Sequence, residues 1–206
     1  MIHGYHVTWG TYGHWLPNDP RGSWSKTVQS KALQKLGNAK KTLERNTVST
    51  KELYRWKRIS QEALEHPAVV LTGEQALEIA LGFKEFILKG SLAVRAFSIL
   101  PDHLHFVWGR HRYKSEVTCN LLKGAATQRL TQVGLHPFES YQMEHGVLPA
   151  IWAERQWIEY LDSEQSIDNA IRYVENNPIR IGKKKQEWSF VTPFEGLSKG
   201  GWMSYY

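Results

Sequence analysis

The chain reads as an α+β fold, an antiparallel sheet with helices packed on it. Three observations predict this. Segments follow one another in the order β, insert, α, β-hairpin, α, β, α, β. The strand-like run 91–100 is joined to the one carrying His103 and His105 by only Pro101-Asp102, which makes an antiparallel hairpin. A chain of 206 residues with 41% hydrophobic content buries a substantial core in one domain. No internal repeat, heptad array or phosphate-cradling glycine motif points elsewhere.

The first strand is read in "IHGYHVTWGTYG" (2–13), whose strand-forming residues close on Gly. "HWLPNDPRGSWS" (14–25) follows as a loop, by its two prolines, Asn-Asp and Gly. From Lys26 to Arg58, ten Lys or Arg stand against two Glu with weak apolar periodicity. This predicts a basic, partly helical excursion, either a solvated insert or an arm facing a polyanion. "TGEQALEIALGFKEFILKG" (72–90) is a helix, with Thr72 as N-cap, Gln75 three residues on, and Lys89-Gly90 at its end. Its apolar stripe is Ala76, Ile79, Ala80, Phe83 and Ile87.

"SLAVRAFSIL" (91–100) is the next strand. A second helix covers 115–135, capped by Ser115, with Val117, Leu121, Leu122, Ala125 and Leu130 expected to face inward. Residues 136–150 are loop-like, and the aromatic-rich "AIWAERQWIEYL" (150–161) is read as a strand. A third helix, "SEQSIDNAIRYVENN" (163–177), is stopped by Pro178. After it, "IRIGKKKQEWSFVTPF" offers a basic tip and a short final strand.

The net charge of +6 makes a polyanion a plausible partner. Nine Trp, nine Tyr and seven Phe accompany it; most are core, but rings beside Arg and Lys also suit a single-stranded nucleic acid. Cys119 is the sole cysteine, so no internal disulfide forms, and it is read as a packed residue in a reducing compartment. No secretory signal is visible and no run of about eighteen apolar residues exists. A cytoplasmic protein without a membrane partner is expected.

His103 and His105 alternate with Leu104, Phe106 and Trp108, so both imidazoles project from one strand face. Two neighbouring imidazoles suggest a metal-ligand pair; the plainer reading is two polar residues on a solvated face. In the third helix Ile167, Ala170, Ile171 and Val174 define the buried stripe, with Tyr173 and Asn177 stacked on its flank. The plainer reading there is a boundary tyrosine and a C-terminal asparagine. The other histidines show no partner at ligand spacing, although His6 could approach the site in space, and Asp102 is expected to cap the hairpin turn. No Gly-x-Ser-x-Gly or catalytic Cys/His pattern is present.

The histidine strand after "ILPDHLHFVWG", followed by "AIRYVENNPIRIG", resembles the single-tyrosine HUH transposases, closest to the REP-associated tyrosine transposase branch. The opening "YHVTWGTYG" is similar to that family's first strand, and the resemblance spans 1–13 and about 72–194. Residues 14–71 are longer than the family's usual connection and are read as a basic insertion in one catalytic domain, 1–206. The resemblance implies a ferredoxin-like core, His103, His105 and Asn177 as metal ligands, and Tyr173 as nucleophile. It further implies magnesium or manganese, single-stranded DNA near hairpins as substrate, and a 5′-phosphotyrosine intermediate. Two imidazoles and an amide oxygen suit zinc as well by ligand type. Arg172, Arg180, Lys183, Lys184 and Lys185 ring the nucleophile's helix as a phosphate track or a solvated basic tip. Monomer and homodimer both remain open. Two other classes compete: a single-stranded nucleic-acid binder or decayed transposase with an empty histidine pair, and a metal-dependent hydrolase that uses water.

Overall fold

The structure, a computed structural model, describes residues 1–23, 26–28, 30–40, 48–141 and 146–197. Parts of the basic stretch, at 29 and 41–47, lie outside the described residues, as do His145 and positions 24 and 25 of the expected loop. Four strands form one antiparallel sheet: β1 (Gly4–Gly10), β2 (Val94–Ile99), β3 (His103–Gly109) and β4 (Trp157–Leu161). Their order is β2-β3-β1-β4. Around them lie helices α1 (Lys31–Gln34), α2 (Thr50–Glu62), α3 (Gly73–Gly90), α4 (Ser115–Gln132) and α5 (Glu164–Arg180). Because β3 pairs antiparallel with both β1 and β2, those two run parallel, joined across β3 by a crossover that includes α3. β3 and β4 relate in the same way across β1, through α4.

Pleat alternation decides what each face presents. Val7 and Trp9, Phe97 and Ile99, and Leu104, Phe106 and Trp108 form one core with Ile79 and Phe83 of α3 and Leu122 and Leu130 of α4. Phe106 is its centre, with ring centroids 4.3 Å from Phe97, 5.3 Å from Phe83 and 5.6 Å from Trp9. α3 approaches α4 at Gly82, where a Cβ would stand 2.9 Å from the Ala125 carbonyl oxygen, so a side chain there would force the helices apart. On the opposite face Ala96, Val107 and Leu161 receive Ile167, Ala170 and Val174 of α5. A bulge between Val94 and Ala96 resets β2, so that Val94 and Phe97 serve the first face while Ala96 and Ser98 serve the second.

Several expectations are corrected. Helix α5 runs through Pro178 to Arg180 rather than stopping at 177. A proline so near the end sacrifices little of the ladder, and the last turns still close through Ile181 N–H to Pro178 O and Gly182 N–H to Ile179 O. Helix α4 is preceded by Lys114 as N-cap without a side-chain bond, and Ser115 lies inside the helix. Its buried side includes Thr118, Cys119, Leu122, Lys123, Ala126 and Leu130, whereas Val117 and Leu121 are exposed. Lys123 explains this rotation of the stripe: its Nζ donates to the carbonyl oxygens of Ala153 at 2.9 Å and Glu154 at 3.3 Å. The strand expected over 150–161 shortens to β4, while 151–153 stay paired with the chain after β1 through the Thr11–Trp152 bridge, Tyr12 N–H donating to Ile151 O and Ala153 N–H to Gly10 O at 2.9 Å each. The final strand reduces to a single Val94–Val191 bridge. The free edge of β2 is instead closed by the Gln186 side chain, which donates to Ile99 O at 2.7 Å and accepts from Ile99 N–H at 2.9 Å.

Between β1 and α3 the basic excursion carries α1, α2 and its own small core, including Leu16, Val28, Leu33, Leu36, Trp56 and Leu64. Ser49 and Glu52 form a capping box that starts α2. Among the described residues no helix is long and apolar enough to cross a membrane.

Candidate active site

The histidines of β3 lie on the sheet face covered by α5, together with His6 and Thr8 of β1 and Ser98 of β2. His105 is only 4% exposed, so it is no residue of a solvated face. Asp102 does not serve as the expected turn cap: its Oδ1 meets Nδ1 of His103 at 2.6 Å. That bond holds the Asp102 carboxyl below its usual range against the opposing effect of burial. A carboxylate can only accept, so Nδ1 of His103 carries a proton, and in the neutral ring Nε2 keeps its lone pair.

The same assignment reaches His105 through a longer chain. Glu159 of β4 accepts from Nδ1–H of His6 at 3.2 Å, which leaves Nε2 of His6 as an acceptor. That nitrogen lies 3.3 Å from Nδ1 of His105, and Thr8 Oγ1 lies 2.7 Å from the same atom. His105 therefore donates from Nδ1, and its Nε2 carries a lone pair. This Nε2 is buried and has no hydrogen-bond partner. Burial, reinforced by His103 and His6, pushes His105 down to about 2, so the ring is neutral at physiological pH. Burial also lowers His6 although Glu159 opposes it.

Tyr173 projects from α5 onto this cluster, its ring 5.4 Å from that of His105 and 5.5 Å from that of His6. It is 39% exposed, and the Arg180 guanidinium sits 5.0 Å over its ring. Asn177, one turn further along α5, is buried rather than on the flank. Its Nδ2 has no partner, and neither does the buried Oγ of Ser98, which pairs across the sheet with His105. Each such atom costs about 1–3 kcal/mol if it stays unpaired. Three of them on one sheet face are characteristic of a site that keeps its polar groups for a ligand.

Among the described residues no three His, Cys, Asp or Glu side chains come together as metal ligands. This face offers the two imidazoles, and α5 adds the buried carboxamide of Asn177 on the same side of the sheet. The orphaned Nε2 of His105 fits use as a metal ligand.

The remaining basic residues divide. Arg172 lies back along its own helix, 3.4 Å from both Asp168 O and Asn169 Oδ1. Lys185 pairs with Glu175 at 3.0 Å. Lys183 and Lys184 are exposed. Of this group Arg180 alone is seen against Tyr173. Sequence spacing does not single out Thr8, Ser98 or Glu159, and it leaves His6 outside the site. Alternation along β1 signals that His6 and Thr8 share a face, but only the register with β3 brings that face to His105.

No family profile matches the chain, and no curated protein does. Among solved structures, the chain is similar to a REP-associated tyrosine transposase bound to a REP hairpin. Identity is 11%, with 88% of this chain and 70% of that one covered, at a TM-score of 0.46. It is also similar to a transposase candidate from Deinococcus radiodurans R1, with 15% identity, 85% and 91% coverage and a TM-score of 0.40.

Proposed function

We propose that this chain is a single-tyrosine, HUH-type DNA endonuclease and strand transferase. It is one catalytic domain over 1–206, with a ferredoxin-like pair of split β-α-β units and a basic insertion at 14–71. The observation that carries the reading is the contact of Tyr173 with His105, whose ring in turn meets that of His103 at 5.0 Å and whose Nε2 is buried without a partner among the described residues. Water-based hydrolysis gives no reason for a half-exposed tyrosine against such a pair. Pure strand binding gives no reason for the buried, unpartnered nitrogen of His105.

In this reading the Tyr173 oxygen bonds to phosphorus of single-stranded DNA beside a hairpin, and the bond to the 3′ oxygen breaks. The phenol proton ends on that leaving oxygen. The products are a 5′-phosphotyrosine and a free 3′-hydroxyl, so a later DNA end can displace the tyrosine. Arg180, 5.0 Å over the Tyr173 ring, sets a positive charge beside the nucleophile, where the phosphate would lie. Asp102 and the Glu159–His6 pair hold the two ligand imidazoles in the required tautomer. His103, His105 and Asn177 would hold magnesium or manganese, which would supply charge neutralisation at the phosphoryl oxygens.

The test is a covalent adduct. The full chain is incubated with manganese and a labelled pool of DNA hairpins carrying randomised single-stranded flanks, then resolved under denaturing conditions. A protein–DNA band is expected, absent in Tyr173→Phe, whose binding and melting temperature stay unchanged because only an exposed hydroxyl is removed. An adduct surviving in that variant moves the role to another tyrosine. Cleavage without any adduct favours the hydrolase, and binding without cleavage favours the binding module.

A further inference from the structure

A narrow recess opens between the segment that follows β1 and helix α2, with Asp102 in its wall. Its aromatic element is Trp15, which remains 49% exposed. The Trp15 backbone is left-handed, with φ 55°, a conformation that costs a bulky L residue about 1–2 kcal/mol. Packing enforces the turn. Gly13 sits at φ 84°, and a Cβ there would stand 2.6 Å from the Ala68 Cβ.

The indole is braced as well as strained. The Arg21 guanidinium lies 4.6 Å over it and is itself held by Asp19, with contacts of 3.0 and 2.6 Å. Asp19 is fully buried. The Trp15 ring meets His103 edge to face at 6.3 Å, so the cavity adjoins the candidate active site. Helix α2 contributes Trp56 and Lys57 to the lining. The Trp56 Nε1 is buried without an acceptor. Lys57 forms no ion pair among the described residues.

An exposed, prepositioned indole beside a lysine with no ion pair among the described residues matches the chemistry of a single unpaired nucleotide. We propose that the mouth of this recess holds one unpaired nucleotide of the substrate strand, its base stacked on the exposed part of Trp15 and its phosphate toward Lys57. The proposal rests on the cleavage reading above and gives the excursion after β1 a role, anchoring the strand beside His103. A backbone held in a disfavoured conformation is consistent with that role, since relaxing Trp15 would swing the ring away from the recess.

The experiment uses the full chain carrying Tyr173→Phe, so that nothing is turned over. Two probes are photo-cross-linked: a short oligo-dT with one 5-iodo-2′-deoxyuridine moved position by position, and free 5-iodo-2′-deoxyuridine monophosphate. Cross-linked peptides are mapped by mass spectrometry. Cross-linking at Trp15 by the oligonucleotide in one register is expected. Reaction by the oligonucleotide alone identifies a strand-bound nucleotide, and reaction by both probes shows that the recess also takes the free one. Trp15→Ala should weaken oligonucleotide affinity about 5-fold or more, the loss of one stacked base. Lys57→Met removes the ammonium and keeps most of the stem, and should weaken affinity at an unchanged melting temperature. Unchanged affinity in both variants, or cross-links confined to other aromatics, overturns the proposal. Adduct formation by the unmodified chain is scored separately: an adduct without a Trp15 cross-link removes the recess and keeps the cleavage reading, and the reverse result does the opposite.

Discussion

His105→Leu separates a ligand from a structural imidazole. The substitution replaces a side chain that is 4% exposed with an apolar one of similar size. In metal-free protein two effects of the imidazole oppose each other. Nδ1 is shared between Thr8, at 2.7 Å, and the buried Nε2 of His6, at 3.3 Å, which together contribute about 1–2 kcal/mol. The buried, unpartnered Nε2 costs about 1–3 kcal/mol. Thr8 is half-buried and can turn to water once the ring is gone, so the loss falls mainly on His6. The net expectation is a variant within about 1 kcal/mol of the parent. Urea unfolding in chelator measures this directly. A second series with manganese at about 100 times its Kd should stabilise the parent by about 2.7 kcal/mol and leave the variant unmoved. Adduct formation should be lost in the variant. A loss of 2 kcal/mol or more in chelator would falsify the argument, because the imidazole would then be holding the sheet together rather than waiting for a ligand (about 2 being the most that the contacts of its Nδ1 are worth).

Three further outcomes are expected. Glu159→Gln, at an exposed position, removes the carboxylate that fixes the tautomer of His6; manganese affinity by calorimetry should fall about tenfold, and an unchanged affinity would break the chain of assignments to His105. Lys123, on the buried side of α4 and pushed down to about 8 by desolvation, holds its proton less well folded than unfolded. Stability should therefore rise by about 1 kcal/mol between about pH 8 and 9, beyond which the Cys119 thiol, pushed up to about 12 by burial, offsets the rise; urea unfolding should show no such rise in Lys123→Met. In the double variant Lys183→Ala, Lys184→Ala, the slope of log affinity for single-stranded DNA against log salt should flatten by about 0.7 per lost contact; an unchanged slope means the tip points away from the strand. Lys185 is left out of that pair because Glu175 already holds it at 3.0 Å.

Local signals in the sequence were sufficient for the elements. Thr72 and Gln75 form the capping box read for α3, and the residues of its predicted stripe are buried or half-buried. Pro101-Asp102 does close the β2–β3 hairpin, and pleat alternation does send Leu104 and Phe106 to one core and His105 to the opposite face. These outcomes depend on neighbours a few residues apart, which a linear reading contains. Errors arose where a distant group competed. The buried side of helix α4 takes in Lys123, whose ammonium meets carbonyls some thirty residues on, and 150–156 keeps only the Thr11–Trp152 bridge of the longer strand expected there.

The candidate site divides along the same line. By itself the sequence determined the paired imidazoles on β3 and the tyrosine and asparagine one turn apart on α5, since spacing of two and of four fixes which side chains share a face. Only the tertiary structure decided that α5 lies across that face, that β1 brings His6 and Thr8 to His105, and that β4 brings Glu159 to His6. It alone placed Trp15 against His103 and folded α2 over the recess beside them. The reason is physical: a side chain's tautomer, burial and charge are set by what touches it, and here the touching groups lie about 100 to 150 residues away along the chain.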